Sequence, residues 1–414
     1  MERNFFFDIH CHVMTLDHPN FINLLGSLEG GWLDLVNGGI LSPSYILTDD
    51  NRKGMKMVYS VMNTLGAFEQ PIDKTFWMMD QDLHGAFLRE GFIGGKVYAP
   101  SKGGFEFRGS SYNKVALGLQ LMDFSRDQSE YDNIYYKRTQ LERINDYAMD
   151  TVRAIGKYHK DHPDGLFEFV PFIGVNPAVH SKRFIANLLE RYVNTDRLEN
   201  PSDEKRIFGG VKVYPPLGMN PWPEDSREEM EKVRLLYEFC QAYQIPITTH
   251  CDNQGFRGVS SKMLGQYTSP FTWAKVLKEY PDLVIDFAHF GYQYGLASDV
   301  KSRIPNGLPM KGEWFDKIIS LMKEYPSVYT DLSYTGCMPE FYRSLILFLK
   351  QQNPDDRALI LGRILFGSDF SVNLMKVQSY LEYYHILDDS GFDDGEVQGF
   401  VQKNPMKFLR MDWT

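Results

Sequence analysis

From residue 115 to the C-terminus, short apolar runs alternate with longer amphipathic stretches, and nothing else constrains the fold of this 414-residue chain as strongly. The runs fall at 115–122, 167–175, 208–214, 246–250, 283–289, 328–332 and 364–366. Between them, 131–160, 181–195, 227–243, 270–279, 313–324 and 340–352 read as helices, followed by 374–387 and 396–409. Strands alternating with helices of this length imply βα units and a parallel sheet. The N-terminal Phe5-Phe6-Phe7-Asp8-Ile9 adds a strand and brings the number to eight. Eight βα units close most simply into an α/β fold of the (β/α)8 TIM-barrel type. Pro281 and Pro326 sit between helix and strand, and Ser226 with Glu229 has capping-box spacing ahead of the 227–243 helix.

The alternation predicts one domain over 1–414, although the length alone would accommodate two or three. Residues 13–114 interrupt it with a stretch rich in Gly, aromatic residues and Met, including Gly30-Gly31, Gly94-Gly95 and Gly103-Gly104. Because it follows the C-terminal end of strand 1, this large insertion is expected to be a lid or subdomain over the active-site face, or a homo-oligomer contact. The net charge of −10 argues against nucleic-acid or anionic-membrane partners, and leaves a small-molecule substrate as the expected partner. No window holds 18 unbroken apolar residues, and the N-terminus lacks a secretory pattern. Four cysteines without CxxC spacing fit the reduced thiols of a cytoplasmic protein.

Asp8-Ile9-His10-Cys11-His12 is the strongest chemical signal. Residues two apart on a strand share a face, so His10 and His12 project together into the barrel at its C-terminal rim, while Cys11 turns away. Two imidazoles converging there make half of a metal site. His250 and His289 end two further strand-like runs, and Asp369 follows Ile364-Leu365-Phe366-Gly367-Ser368 in the same manner. A carboxylate beside an interior strand costs several kcal/mol unless it is paired or metal-bound. There is no GxGxxG, GxxxxGK[ST] or GxSxG element, so dinucleotide, P-loop and serine-nucleophile sites are not indicated.

These pieces resemble the amidohydrolase superfamily, in its amidohydrolase-related branch of aminocarboxymuconate-semialdehyde decarboxylase-like, metal-dependent TIM-barrel enzymes. The resemblance rests on Asp8–His12, Gly210-Val211-Lys212-Val213-Tyr214-Pro215, His250, Ala288-His289-Phe290-Gly291, Phe366-Gly367-Ser368-Asp369 and Asn404-Pro405-Met406-Lys407-Phe408-Leu409. It implies that His10, His12, His250 and Asp369 bind a divalent ion, usually Zn²⁺, with one or two ions per chain. It also implies that His289 is a second-metal ligand or a proton-transfer group.

Lys212 shares an inward face with Tyr214, where an amine is costly without a partner. Three readings stand side by side: a carboxylated lysine bridging two ions, an ammonium that anchors a substrate carboxylate, or a structural ion pair. Tyr214 and Tyr292 are weaker substrate-binding candidates. Asp123, Asn176, Asp252, Asn253, Ser333 and Tyr334 follow the same strand-end logic, and Arg126 and Arg257 lie in rim loops.

The expected activity is metal-dependent hydrolysis of an amide or a cyclic ester or amide through a metal-bound water, with Asp369 and His289 as the catalytic pair. The alternative is nonoxidative decarboxylation of an unsaturated or aromatic carboxylic acid by the same residues. The apolar-Pro sequence usual after HxH in the decarboxylases is replaced here by Val13-Met14-Thr15-Leu16, which weighs against the alternative.

Overall fold

A computed structural model describes residues 4–15, 18, 63–87, 96–99, 104–125, 143–197, 205–256, 258–293 and 312–410. Eight parallel strands form the barrel: β1 (Phe5–Cys11), β2 (Lys114–Leu119), β3 (Phe167–Phe169 with Phe172–Gly174), β4 (Gly210–Val213), β5 (Ile247–Thr249), β6 (Ile285–Phe287), β7 (Val328–Asp331) and β8 (Ile364–Leu365). Neighbours in this order are paired, with Pro171 interrupting β3, where a residue without an N–H cannot continue the ladder. The two ends of the sheet meet, because Ile9 N–H donates to Phe366 O at 2.9 Å and Asp369 N–H donates to His10 O at 2.7 Å. The TIM barrel read from the sequence is the fold.

Outside the strands run α1 (Ile72–Leu83), α2 (Arg143–Asp161), α3 (Lys182–Tyr192), α4 (Arg227–Ala242), α5 (Ser261–Tyr267), α6 (Pro270–Glu279), α7 (Glu313–Glu324), α8 (Pro339–Lys350), α9 (Pro354–Leu361) and α10 (Tyr380–Asp388). Several starts are fixed by serine caps: Ser181 accepts from Phe184 N–H, Ser226 from Glu229 N–H, and Ser379 from Glu382 N–H. The α9 helix was not anticipated, and the 131–142 part of the helix expected at 131–160 lies outside the described residues. No helix among the described residues is long and apolar enough to cross a membrane.

The described part of 13–114 packs on the flank of the barrel. α1 takes the place of the outer helix after β1: its Asp80 accepts from Leu166 N–H at 2.9 Å and from the Tyr158 hydroxyl of α2, and its Asp82 accepts from Leu381 N–H of α10 at 2.8 Å. A hairpin, Phe105–Phe107 with Ser110–Tyr112, closes on the outward ring of Phe6, with Phe105, Phe107 and Tyr112 centred 4.8, 5.4 and 5.4 Å from it. The residues on which a lid would rest lie outside those described.

The barrel interior is layered. Phe7, Ile9, Ala116, Phe172, Val284, Tyr329 and Leu365 form an apolar floor, joined by Phe408 and Leu409 from the C-terminal helix Asn404–Leu409. Above it the inward positions turn polar, with Lys212, Thr248 and Asp286 in register on β4, β5 and β6. Strict alternation along β1 would carry the face of Phe7 and Ile9 on to Cys11. A register shift between Asp8 and Cys11 intervenes, so His10 and His12 share the interior with Ile9 while Cys11 joins the outer core.

Candidate metal centre

Asp8 holds this irregularity in place. Its buried carboxylate accepts from His10 N–H at 3.3 Å, from Ser368 N–H at 2.8 Å and from the Tyr380 hydroxyl at 2.7 Å. Opposite it, Gly367 allows β8 to approach β1, since a Cβ there would stand 2.6 Å from His10 Cβ. His250 directly follows β5, as the sequence implies. His289 and Asp369 reach the site differently, by leaving their strands through left-handed backbone at φ 63° and φ 61°. Such conformations cost a non-glycine residue roughly 1–2 kcal/mol each, and Phe290 and Tyr334 on the same rim adopt them too.

Hydrogen-bond partners fix the tautomers of four histidines. His10 Nδ1 donates to Asp331 Oδ2 at 2.6 Å, and His12 Nδ1 donates to Gln120 O at 2.7 Å. Each therefore turns an unprotonated Nε2 inward. Those two nitrogens stand 3.3 Å apart and lie 3.5 and 3.2 Å from Asp369 Oδ1. On the other side, His250 Nε2 faces two acceptors, Asp252 Oδ1 at 3.0 Å and Gln254 O at 2.9 Å, so it carries the proton. His289 Nδ1 donates to Ser333 O at 3.0 Å. His250 Nδ1 and His289 Nε2 are left facing each other at 3.1 Å, both as acceptors.

Lone pairs confronting lone pairs in a buried space are well matched to a cation between them. Four ligands about 2.1 Å from a zinc ion lie about 3.4 Å from one another, close to the separations among His10, His12 and Asp369. One ligand atom each from His10, His289 and Asp369 also falls within a common 4.8 Å, which links the two groups of acceptors.

Electrostatics point the same way. Burial, reinforced by the Lys212 charge, pushes His10 down to about 3, and burial lowers His12, so both are neutral at pH 7. For Asp369 burial works against ionisation, yet the imidazoles crowded against it hold the carboxyl below the usual carboxylate range. Asp331 and Asp252 are likewise held below the usual carboxylate range despite their burial. Asp286 is pushed well above it, by burial and then by the Asp331 charge. Three ionised carboxylates thus surround a single buried amine, Lys212, whose pKa burial lowers to about 8. The donor set and the uncompensated negative charge both fit a divalent cation.

The structure brings His10, His12, His250, His289, Asp369 and Lys212 together, with Lys212 Nζ 3.1 Å from His10 Nε2. Tyr214 joins them as a buttress: its ring lies 4.6 Å from that of His250, and its Oη accepts from Phe256 N–H at 3.0 Å. Tyr292 is half-buried and packs 6.3 Å from Phe341. Asp123 pairs with His180 at 2.8 Å, and Asn176 caps its own turn by accepting from Ala178 N–H. Ser333, a minor candidate in the sequence, touches both His10 and His289 through Oγ, at 3.2 and 2.9 Å. Arg126 and Arg257 lie outside the described residues. Asp286 and Asp331 were not anticipated. Their signal was a lone carboxylate at an inward position of an otherwise apolar strand.

No curated protein matches the sequence significantly. Solved structures that resemble the chain include 2,6-dihydroxybenzoate decarboxylase from Rhizobium, at 12% identity over 99% of each chain and a TM-score of 0.44. A probable 2-pyrone-4,6-dicarboxylic acid hydrolase from Acinetobacter baumannii shares 14% identity over 72% of this chain and 84% of its own, with a TM-score of 0.40. An amidohydrolase from Burkholderia multivorans with bound zinc shares 14% over 63% and 88%, with a TM-score of 0.35. The amidohydrolase family model itself matches residues 157–411, from within α2 to past the C-terminal helix. With well over half of its length matched by that model, the chain belongs to the amidohydrolase family.

Proposed function

We propose that this protein is a metal-dependent hydrolase that cleaves an amide, or a cyclic ester or amide, in a small molecule. The observation that carries this reading is the set of inward-facing acceptors, His10 Nε2, His12 Nε2, His250 Nδ1, His289 Nε2 and Asp369 Oδ1, closed around a space whose nearest buried cation is Lys212. His10, His12, His250 and Asp369 would hold the ion, with His289 beside them. When bound, a divalent ion supplies Lewis acidity and brings the pKa of water from about 15.7 towards about 7.

The chain's own residues divide the remaining work. Asp369 is ionised at neutral pH and is an acceptor only, so it suits the role of base for the attacking water and of proton carrier to the leaving group. His289, anchored through Nδ1 to Ser333, presents Nε2 to the site, where it orients the scissile group or holds the transferred proton. Tyr214 and Gly255 pack the His250 side of the pocket. Lys212 stays within reach of the ligand atoms, where an ammonium would oppose a divalent ion. This favours a neutral or carboxylated amine in the loaded protein over a substrate anchor.

The experiment is turnover of a panel of lactones, cyclic amides, linear amides and unsaturated or aromatic carboxylic acids in H₂¹⁸O. Incorporation of ¹⁸O into a ring-opened or cleaved product is the expected outcome. Release of CO₂ without ¹⁸O in the organic product would replace this reading by the decarboxylase.

A further inference from the structure

The geometry points to Asp331 as the positioning residue of the metal centre, a single carboxylate that sets both the tautomer of His10 and the turn that carries His289. This inference rests on the metal-dependent reading above, and it assigns a role to a residue outside the ligand set proposed there. Asp331 ends β7 facing inward and is fully buried. Its two oxygens serve different histidines. Oδ2 accepts from His10 Nδ1 at 2.6 Å, and Oδ1 accepts from His289 N–H at 2.9 Å and from Ser333 N–H at 3.1 Å. The Ser333 hydroxyl donates to Oδ1 as well, and its oxygen lies 2.9 Å from His289 Nδ1.

Both contacts matter for ligation. An imidazole offers a metal only the nitrogen that lacks a proton, so a partner that keeps the proton on Nδ1 keeps Nε2 free. His289 sits in left-handed backbone, and the Oδ1 bond to its N–H, two residues past the end of β6, holds that turn against β7. A purely structural buried pair would set the same His10 tautomer, but its loss would leave zinc affinity unchanged. The tautomer and the zinc affinity taken together therefore separate the two roles.

D331N makes the distinction. Its amide oxygen stays with the three donors from His289 and Ser333, which leaves the amide NH₂ facing His10 Nδ1. Two donors cannot face each other, so the His10 proton moves to Nε2, the atom turned towards His12 and Asp369. The test is long-range ¹H–¹⁵N NMR on metal-free, ¹⁵N-histidine-labelled protein, with His10 assigned by the signal missing in His10→Gln, alongside a zinc titration. The expected result is the Nδ1–H tautomer in the wild type, the Nε2–H tautomer in D331N, and zinc binding about 10–100-fold weaker in D331N. An unchanged tautomer in D331N, or a switched tautomer with zinc affinity unchanged, would overturn the assignment. If D331N does not fold, the wild type still decides, since an Nε2–H tautomer there contradicts it. A wild type that shows Nδ1–H but takes up no zinc would overturn the metal reading and leave the orienting role of Asp331 standing.

Discussion

His12 Nε2 and Asp369 Oδ1 lie 3.2 Å apart, although one leaves the first strand of the barrel and the other follows the last. Closing the sheet is what creates this contact, so the fold and the site share a seam. Asp369→Asn keeps the left-handed backbone, which asparagine tolerates, and removes the charge. It is expected to lower zinc affinity and turnover by at least ~10²-fold while the metal-free protein melts within a few degrees of wild type. Zinc titration and calorimetry check both halves of this expectation.

Lys212 is predicted to distinguish a charge from a side chain. Its Nζ lies 3.1 Å from His10 Nε2, and its pKa is already lowered to about 8 by burial. Arginine cannot shed its proton, whereas methionine carries none. Lys212→Arg should weaken zinc binding at least ~10-fold more than Lys212→Met does. Equal affinities in the two variants would mean that a positive charge at this position does not oppose the ion.

Gly255 is expected to be intolerant of any side chain. At φ 105° a Cβ would stand 2.4 Å from Tyr214 Oη and 3.0 Å from His250 Nε2. Gly255→Ala should displace both groups and reduce turnover by about 10-fold through misplacement of a ligand. Because the loop lies on the rim, the melting temperature should move by less than about 5 °C.

Asp388 predicts a pH dependence of stability located far from the metal. It accepts from Tyr98 at 2.9 Å and from Arg108 Nε at 3.2 Å, and it pairs with Lys96, tying the 96–108 region to α10. Burial raises its carboxyl, but the Lys96, Tyr98 and Arg108 contacts outweigh that and hold it below 3.8. A depressed folded pKa contributes stability above the unfolded value, and this is lost as pH falls through the folded one. Asp388→Asn should therefore cost about 1 kcal/mol at pH 7 after solvent screening, and progressively less below pH 3.8. Urea unfolding of both proteins at pH 7 and pH 3 measures the difference.

The strands were legible in the sequence because a barrel strand buried on both faces must be a short apolar run, and histidines ending such runs stand out. The helices at 270–279 and 313–324 were placed to the residue, where Pro270 and Gly312 mark the starts. What parity cannot show is the register shift in β1, which depends on Asp8 satisfying N–H groups from two strands. The turn at His289 was hidden for a similar reason. Its run continues to His289 in the sequence, whereas the strand stops at Phe287 and a left-handed turn does the rest. Asp286 and Asp331 lie inside runs that read as apolar, and only closure of the barrel shows that both point at the same histidine. The insertion stayed opaque, since α1 replaces an ordinary outer helix without the flanking alternation that marks the others.

The measurement that tests the central claim most directly is elemental analysis of untagged protein, purified without chelator, beside the His12→Ala, Asp369→Asn double variant. The account predicts at least one equivalent of zinc or another divalent ion per wild-type chain, falling close to zero in the double variant. Two equivalents would add a carboxylated Lys212 to the ligand set. A wild type with no metal after incubation with zinc or manganese, or a double variant that retains its full complement, would contradict the account.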